Sequence, residues 1–154
     1  MLFLISIAAA FVGCAHLDRD QMASREELIQ RVNEYWNAKI KEQVEVAYSI
    51  EHPEGRKKVP IYRYARSDLS LQQASARLLS FKILAVDLKG DQAKVSIQQE
   101  TKITAPALRT VLKFVRDDKW FKIDGEWYHE FSDSRSLTDA FIRSIRKSRQ
   151  IRSQ

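Results

Sequence analysis

Cysteine, proline and glycine are scarce: the chain has one, three and four of them in 154 residues. A single cysteine excludes an intrachain disulfide framework and any multi-cysteine zinc site. So few glycines and prolines leave no room for a long flexible linker. There is no Gly-x-Ser-x-Gly elbow for a nucleophilic serine. His16, His52 and His129 lie far apart, and none is spaced with a carboxylate pair as a ligand helix requires. Each reads as a surface or partly packed histidine, so neither a metal nor another cofactor is expected. What is there is a 44% apolar, 30% charged sequence. That suits one folded domain with a real core and excludes wholesale disorder.

Residues 2–13 read LFLISIAAAFVG, apolar apart from Ser6 and free of charge. A membrane span needs about 20 such residues, so this run is too short to cross and fits the core of a secretory signal. It ends in Phe11-Val12-Gly13-Cys14, which resembles the lipobox of bacterial lipoproteins. The resemblance implies cleavage before Cys14, acyl chains on Cys14, and attachment to the membrane of the cell envelope. Ala15 and His16 follow the cysteine, and the lack of an Asp there resembles outer-membrane sorting, facing the periplasm. Phe11 stands where that family prefers Leu, and residues 1–13 carry no Lys or Arg, so the true start can lie upstream of Met1. The alternative is the buried first helix of a cytosolic domain with an incidental cysteine. The expected division is a signal at 1–13, a lipidated cysteine and polar tether at 14–23, a folded domain at 24–136 and a basic amphipathic segment at 137–154.

Ser24-Arg25-Glu26-Glu27 reads as a capping box that opens a helix. Leu28, Val32, Tyr35 and Trp36, then Ile40, Val44, Ala47 and Tyr48, repeat at the helical period. The stretch 24–50 is therefore one long helix, or two joined by a bend around Lys39–Glu42. Glu51-His52-Pro53-Glu54-Gly55 reads as a turn, 56–66 as basic, aromatic and extended through Tyr64, and 71–78 as a short helix. Beyond it the period becomes two. Phe81 and Ile83, then Leu84, Val86 and Leu88, alternate in two frames, as in a bulged strand. Ala93 to Ile103 alternate in one frame, Ala105-Pro106 breaks the run, and Leu108 to Phe114 resume it. Turns are expected at Lys89-Gly90-Asp91, Asp117-Asp118 and Asp124-Gly125. Helices first and an antiparallel meander after make an α+β order.

Tyr35-Trp36-Asn37-Ala38-Lys39 with Val46-Ala47-Tyr48, then Phe81-Lys82-Ile83, Gly90 to Val95, and Trp120 to Tyr128, resemble the NTF2-like superfamily over about residues 24–131. The resemblance implies a cone: N-terminal helices packed into a strongly curved antiparallel sheet, with a pocket at the wide end. Such folds serve isomerases, hydrolases, binding modules and assembly subunits, so the fold alone selects no activity. It also implies a homodimer through the outer sheet face.

Catalytic relatives place an acid on the pocket wall. Among the acids weighed, Asp87 and Glu100 fall on polar strand faces and Asp124 in a turn, so no catalytic residue is assigned. Tyr35, Trp36, Tyr48, Thr101, Thr110, Trp120 and Trp127 are the candidate ligand lining, with plain core packing as the alternative for the aromatics. The expected role is non-catalytic binding of a small apolar ligand or an envelope protein, with an isomerase or hydratase, or an envelope scaffold, as rivals. Arg143, Arg146, Lys147, Arg149 and Arg152 give the last twelve residues a charge of +5, out of a net +6 for the chain. Leu137, Phe141 and Ile145 oppose them at helical spacing, so a short C-terminal amphipathic helix facing anionic lipid or an acidic partner is expected. Arg56, Lys57, Lys58, Arg63 and Arg66 interleave with Tyr62 and Tyr64. Behind a lipobox they carry no nucleic-acid assignment.

Overall fold

The computed structural model describes residues 12–66, 76–105 and 108–131. The core of the expected signal and the C-terminal segment from 137 onward, with its helix and five basic residues, lie outside the described residues. Helix α1 (Val12–Ile40) is followed by α2 (Val44–Ile50), α3 (Pro53–Lys58) and a helical segment at 61–66. Strands β1 (Ala76–Lys89), β2 (Gln92–Ala105), β3 (Leu108–Ile123) and β4 (Glu126–His129) then form one antiparallel sheet in chain order. The α+β architecture read from the pattern is the one observed.

α1 begins at Val12 rather than at Ser24. Ser24 and Glu27 do not cap a helix end; both receive Lys122 Nζ, at 3.2 and 2.9 Å. Residues 19–23 are exposed, so the stretch expected to be a loose tether is helical and, over these residues, faces solvent. The bend after α1 falls where expected. Glu42 takes φ 61°, the left-handed conformation that ends a helix, and α2 restarts two residues later. The turn expected at 51–55 is instead the start of α3. Pro53 stands at its first position, where a missing N–H costs nothing, and His52 Nδ1 accepts from Glu54 N. The extended run expected through Tyr64 is likewise helical at 61–66. Residues 76–78, read as the end of a helix, belong to β1, and 71–75 lie outside the described residues.

The register of β1 against β2 shifts between Leu78 and Ser80 and between Ile83 and Ala85. The second shift is the bulge that splits the two hydrophobic frames. Leu84 is its extra residue and is exposed, whereas Ile83 and Val86 face inward. Gly90, Asp124 and Gly125 adopt positive φ in the two tight hairpins, which supports the turns read there. No turn occurs at Asp117-Asp118. β3 runs straight through both, pairing Asp118 with Val95 and Asp117 with Ser96.

Directly opposed residues share a face, so Leu78, Phe81, Ile83, Val86 and Leu88 line the concave side with β2 residues Ala93 to Ile103. On β3 the same face carries Thr110, Leu112, Phe114, Arg116, Asp118 and Trp120. α1 lies along this face, from Lys122 at the hairpin end toward Glu42, whose carboxylate is 3.9 Å from Arg77. Leu28, Val32, Tyr35 and Trp36 seal the core against Val95, Ile97, Trp120 and Trp127. Among the described residues no helix is long and apolar enough to cross a membrane.

Phe131 closes the core beside α3, its ring 6.0 Å from that of Tyr64 and its side chain lying where a Gly55 side chain would stand. Gly55→Ala should therefore destabilise the fold by about 1–3 kcal/mol, the usual cost of overpacking. Urea unfolding that matches the parent within error would refute that tight approach.

Candidate functional site

A buried ionic cluster occupies the middle of the concave face, and its acids are not those weighed from the sequence. Glu51 caps the C-terminus of α2. Asp118 reaches inward from β3 as the next concave position before Trp120, and His129 stands opposite Trp120 on β4. Glu51, His129 and Asp118 are 0%, 1% and 2% exposed. His129 is thus fully buried, not a surface or partly packed histidine.

Glu51 Oε1 accepts from Tyr35 Oη at 2.7 Å and Tyr64 Oη at 3.0 Å, while Oε2 lies 3.1 Å from His129 Nδ1. On the other side of the imidazole, Nε2 is 3.7 Å from Asp118 Oδ2, an ionic contact beyond hydrogen-bond length. Asp118 Oδ2 accepts from Trp36 Nε1 at 3.1 Å. Arg116 Nε sits 2.7 Å from Asp118 Oδ1, but the oxygen receives no directed hydrogen bond, so the contact is one of charge. The Arg116 guanidinium also lies over the Trp36 ring at 5.4 Å. Tyr35 stacks on His129 at 4.4 Å and 22°. Basic and acidic side chains therefore alternate along the chain Arg116, Asp118, His129, Glu51, so each carboxylate faces a basic partner.

The protonation directions follow from this packing. Burial disfavours the His129 cation, but the facing carboxylates of Asp118 and Glu51 outweigh it and raise its pKa above the ordinary 6.5. Burial likewise opposes the Asp118 anion, yet His129, Arg116 and the Trp36 donor hold its pKa below 3.8. The Tyr35 hydroxyl is pushed well above 10.0, by burial first and then by Glu51 and Tyr64. Chemically, the cluster is an imidazole whose charged form is favoured by two facing carboxylates, with a tyrosine that stays protonated as a donor. Among the described residues no group of three or more side chains could hold a metal ion.

Five of the seven candidate lining residues lie in or beside this core. Tyr35 and Trp36 touch the cluster, and the Tyr35 ring lies 5.9 Å from that of Trp120. Trp120 and Trp127 are buried, with indole nitrogens that have no hydrogen-bond partner. Tyr48 donates to the carbonyls of Arg56 and Val59, at 3.0 and 2.9 Å, and so fastens α2 to α3. Thr101 and Thr110 lie farther out along the same face, opposite Leu112 and Ile103, away from the aromatics. Asp87 and Glu100 fall on the outer face beside Lys89 and Lys113, as their frames indicated, and Asp124 is in its turn. Cys14 lies within α1. The overlooked acid Asp118 did have a signal: Leu112, Phe114 and Trp120 keep one period-two frame, which passes through Arg116 and Asp118.

No protein-family model matches the chain, and no curated protein matches it. Solved structures do. A SEC-C motif containing protein from Psychrobacter arcticus superposes with a TM-score of 0.55 at 13% identity, over 84% of this chain and 75% of that one. A SEC-C motif containing protein from Rhodopseudomonas palustris gives 0.52 at 13%, over 64% and 70%. An NTF2-like family protein from Streptomyces avermitilis gives 0.50 at 12%, over 70% and 91%. The fold is NTF2-like. At these identities the likeness describes the fold and nothing finer.

The cluster makes stability depend on pH in a defined direction. A raised imidazole pKa contributes stability that is complete below about 6.5 and is lost as pH rises through the folded value. A lowered Asp118 pKa contributes stability that is complete above about 3.8 and is lost as pH falls through the folded value. Unfolding free energy should be highest between these limits and decline on the alkaline side. His129→Gln should flatten that alkaline limb; an unchanged slope in urea titrations would show that another group sets it.

Proposed function

We propose that the protein is a lipid-anchored component of the bacterial cell envelope whose NTF2-like domain is a non-catalytic interaction module. The observation that carries the non-catalytic part is the closure of the cone where its ionisable groups lie. Glu51, Asp118 and His129 have essentially no solvent exposure, and the carboxylate oxygens already accept from Tyr35, Tyr64 and Trp36. An acid or base must come within hydrogen-bond reach of the group it serves, and here side chains of the protein occupy that reach. Around the cluster the aromatic side chains of Tyr35, Trp36 and Trp120 occupy the space, which favours a protein partner over a small apolar ligand as the bound species.

The anchor part rests on the run from Leu2 to Cys14 and on the helix that continues beyond it. Acylation at Cys14 would join the lipid to a helix rather than to a loose tether, since α1 is continuous from Val12. From Cys14 to Leu28, the first position of α1 buried among those whose side chains are described, such a stalk spans about 20 Å at 1.5 Å per residue. In a bacterial host, Cys14→Ser should abolish incorporation of labelled fatty acid and move the protein from the membrane to the soluble fraction. A wild-type chain that takes up no label would sink the anchor.

A specific observation favours the enzyme as a second reading: a tyrosine, two carboxylates and a histidine do converge on one point. The two readings differ in access. Diethylpyrocarbonate should acylate His52 and spare His129 in the folded protein if the domain is non-catalytic. Reaction of His129 at a rate near that of His52 would mean that the cone opens to small molecules, and would return the cluster to candidacy as an acid–base site.

A further inference from the structure

Although the chain outside its last twelve residues is nearly neutral, the sheet separates its charges. On the outer face near the two tight hairpins, cations and anions are matched. Lys89 lies 3.2 Å from Asp87, Lys94 2.8 Å from Asp117, and Lys119 3.1 Å from Glu130. Toward the opposite end of the strands the balance fails. Arg77, Lys82, Lys102, Arg109 and Lys113 share that part of the outer face with a single acid among the described residues, Glu100, which pairs with Lys113 at 2.6 Å. All five cations are exposed.

Arg77 stands directly opposite Lys102 across β1 and β2, and Arg109 is diagonal to Lys102 across β2 and β3. Like charges facing one another across strands destabilise a sheet. Lys82, Lys102 and Arg109 have no acidic partner among the described residues to relieve this. Arg77 has only Glu42, at 3.9 Å. Lys102 and Arg109 also border an open groove of about 430 Å³ together with Ile103, Thr104, Thr110 and Val111. Aliphatic side chains lie among the cations: Val115 is 57% exposed, Val111 48% and Leu79 40%.

We propose that this distal outer face is an adsorption surface for anionic phospholipid bilayers. Unpaired cations gain from a negatively charged headgroup layer, and exposed valine and leucine gain from contact with its apolar boundary. A bilayer also asks for no shape complementarity, which suits a broad strand face better than it suits an acidic protein. The surface is independent of acylation. α1 emerges at the Lys122 end of the sheet, whereas Lys102 and Arg109 lie at the other, so the contact is additional to any anchor at Cys14.

The test uses the full chain carrying Cys14→Ser, which cannot be acylated, cosedimented with phosphatidylglycerol–phosphatidylcholine vesicles and with phosphatidylcholine alone. Binding should require the anionic lipid. Lys102→Gln with Arg109→Gln should weaken it about 25-fold, near fivefold for each cation at the surface. Lys94→Gln with Lys119→Gln removes the same net charge from ion-paired positions and should change it by about twofold or less. All four side chains are exposed, and equal melting temperatures would confirm intact folding. If both double variants weaken binding equally, net charge and not this face governs it, and the proposal fails. If neither does, or if neutral vesicles bind as well, it fails also.

Discussion

The contact between His129 and its two carboxylates joins the layers of this fold. Glu51 ends α2, Asp118 sits mid-strand in β3, and His129 closes β4. The backbone repeats the link, with His52 N donating to the carbonyl of His129 at 2.8 Å. A buried charge pair of this kind adds little net stability over an apolar substitute, but it is costly to break on one side only. Its weight is positional: the short last strand, which pairs through four residues, is held in register by ionic contacts at its end. Removing any one partner leaves the groups it faced buried without their compensating charge.

The fold was legible in periodicity because burial enforces periodicity. Val95, Ile97 and Ile103 could not alternate so cleanly unless one face of β2 were covered, and the bulge at Leu84 showed as a slip between hydrophobic frames. The candidate site was less legible, for a physical reason. Asp117-Asp118 looks like a turn because aspartates are common in turns, and only the pairing of Asp118 with Val95 reveals it as a strand position. Glu51 and His129 are far apart in sequence, and although they continue the apolar frames of Ala47 and Tyr48 and of Trp127 and Phe131, nothing in either frame names the partner each one meets. Polar residues inside a core are chosen for one another, and that choice is invisible until the chain brings them together. The same holds at 51–58, where Pro53 serves as a helix start as readily as a turn.

An NTF2-like framework with a sealed ionic centre separates the fold from the chemistry often placed on it. The curved sheet supplies a concave wall of aromatic side chains in either case. Here Tyr35, Trp36 and Trp120 fill the space beside His129, so the wall meets the protein's own helix. What distinguishes the molecule then moves to its outside, to the stalk and to the uneven charge of the outer sheet face.

The two bulges in β1 have a consequence beyond register. Among the described residues β1 is an edge of the four-stranded sheet, and a long regular edge would offer its free amides and carbonyls to a strand from another molecule. Each bulge interrupts the even spacing of those groups and sharpens the local twist, so a straight incoming strand finds only short matching stretches. Crowding copies of the chain together therefore favours separate domains over a growing ribbon of shared β-structure.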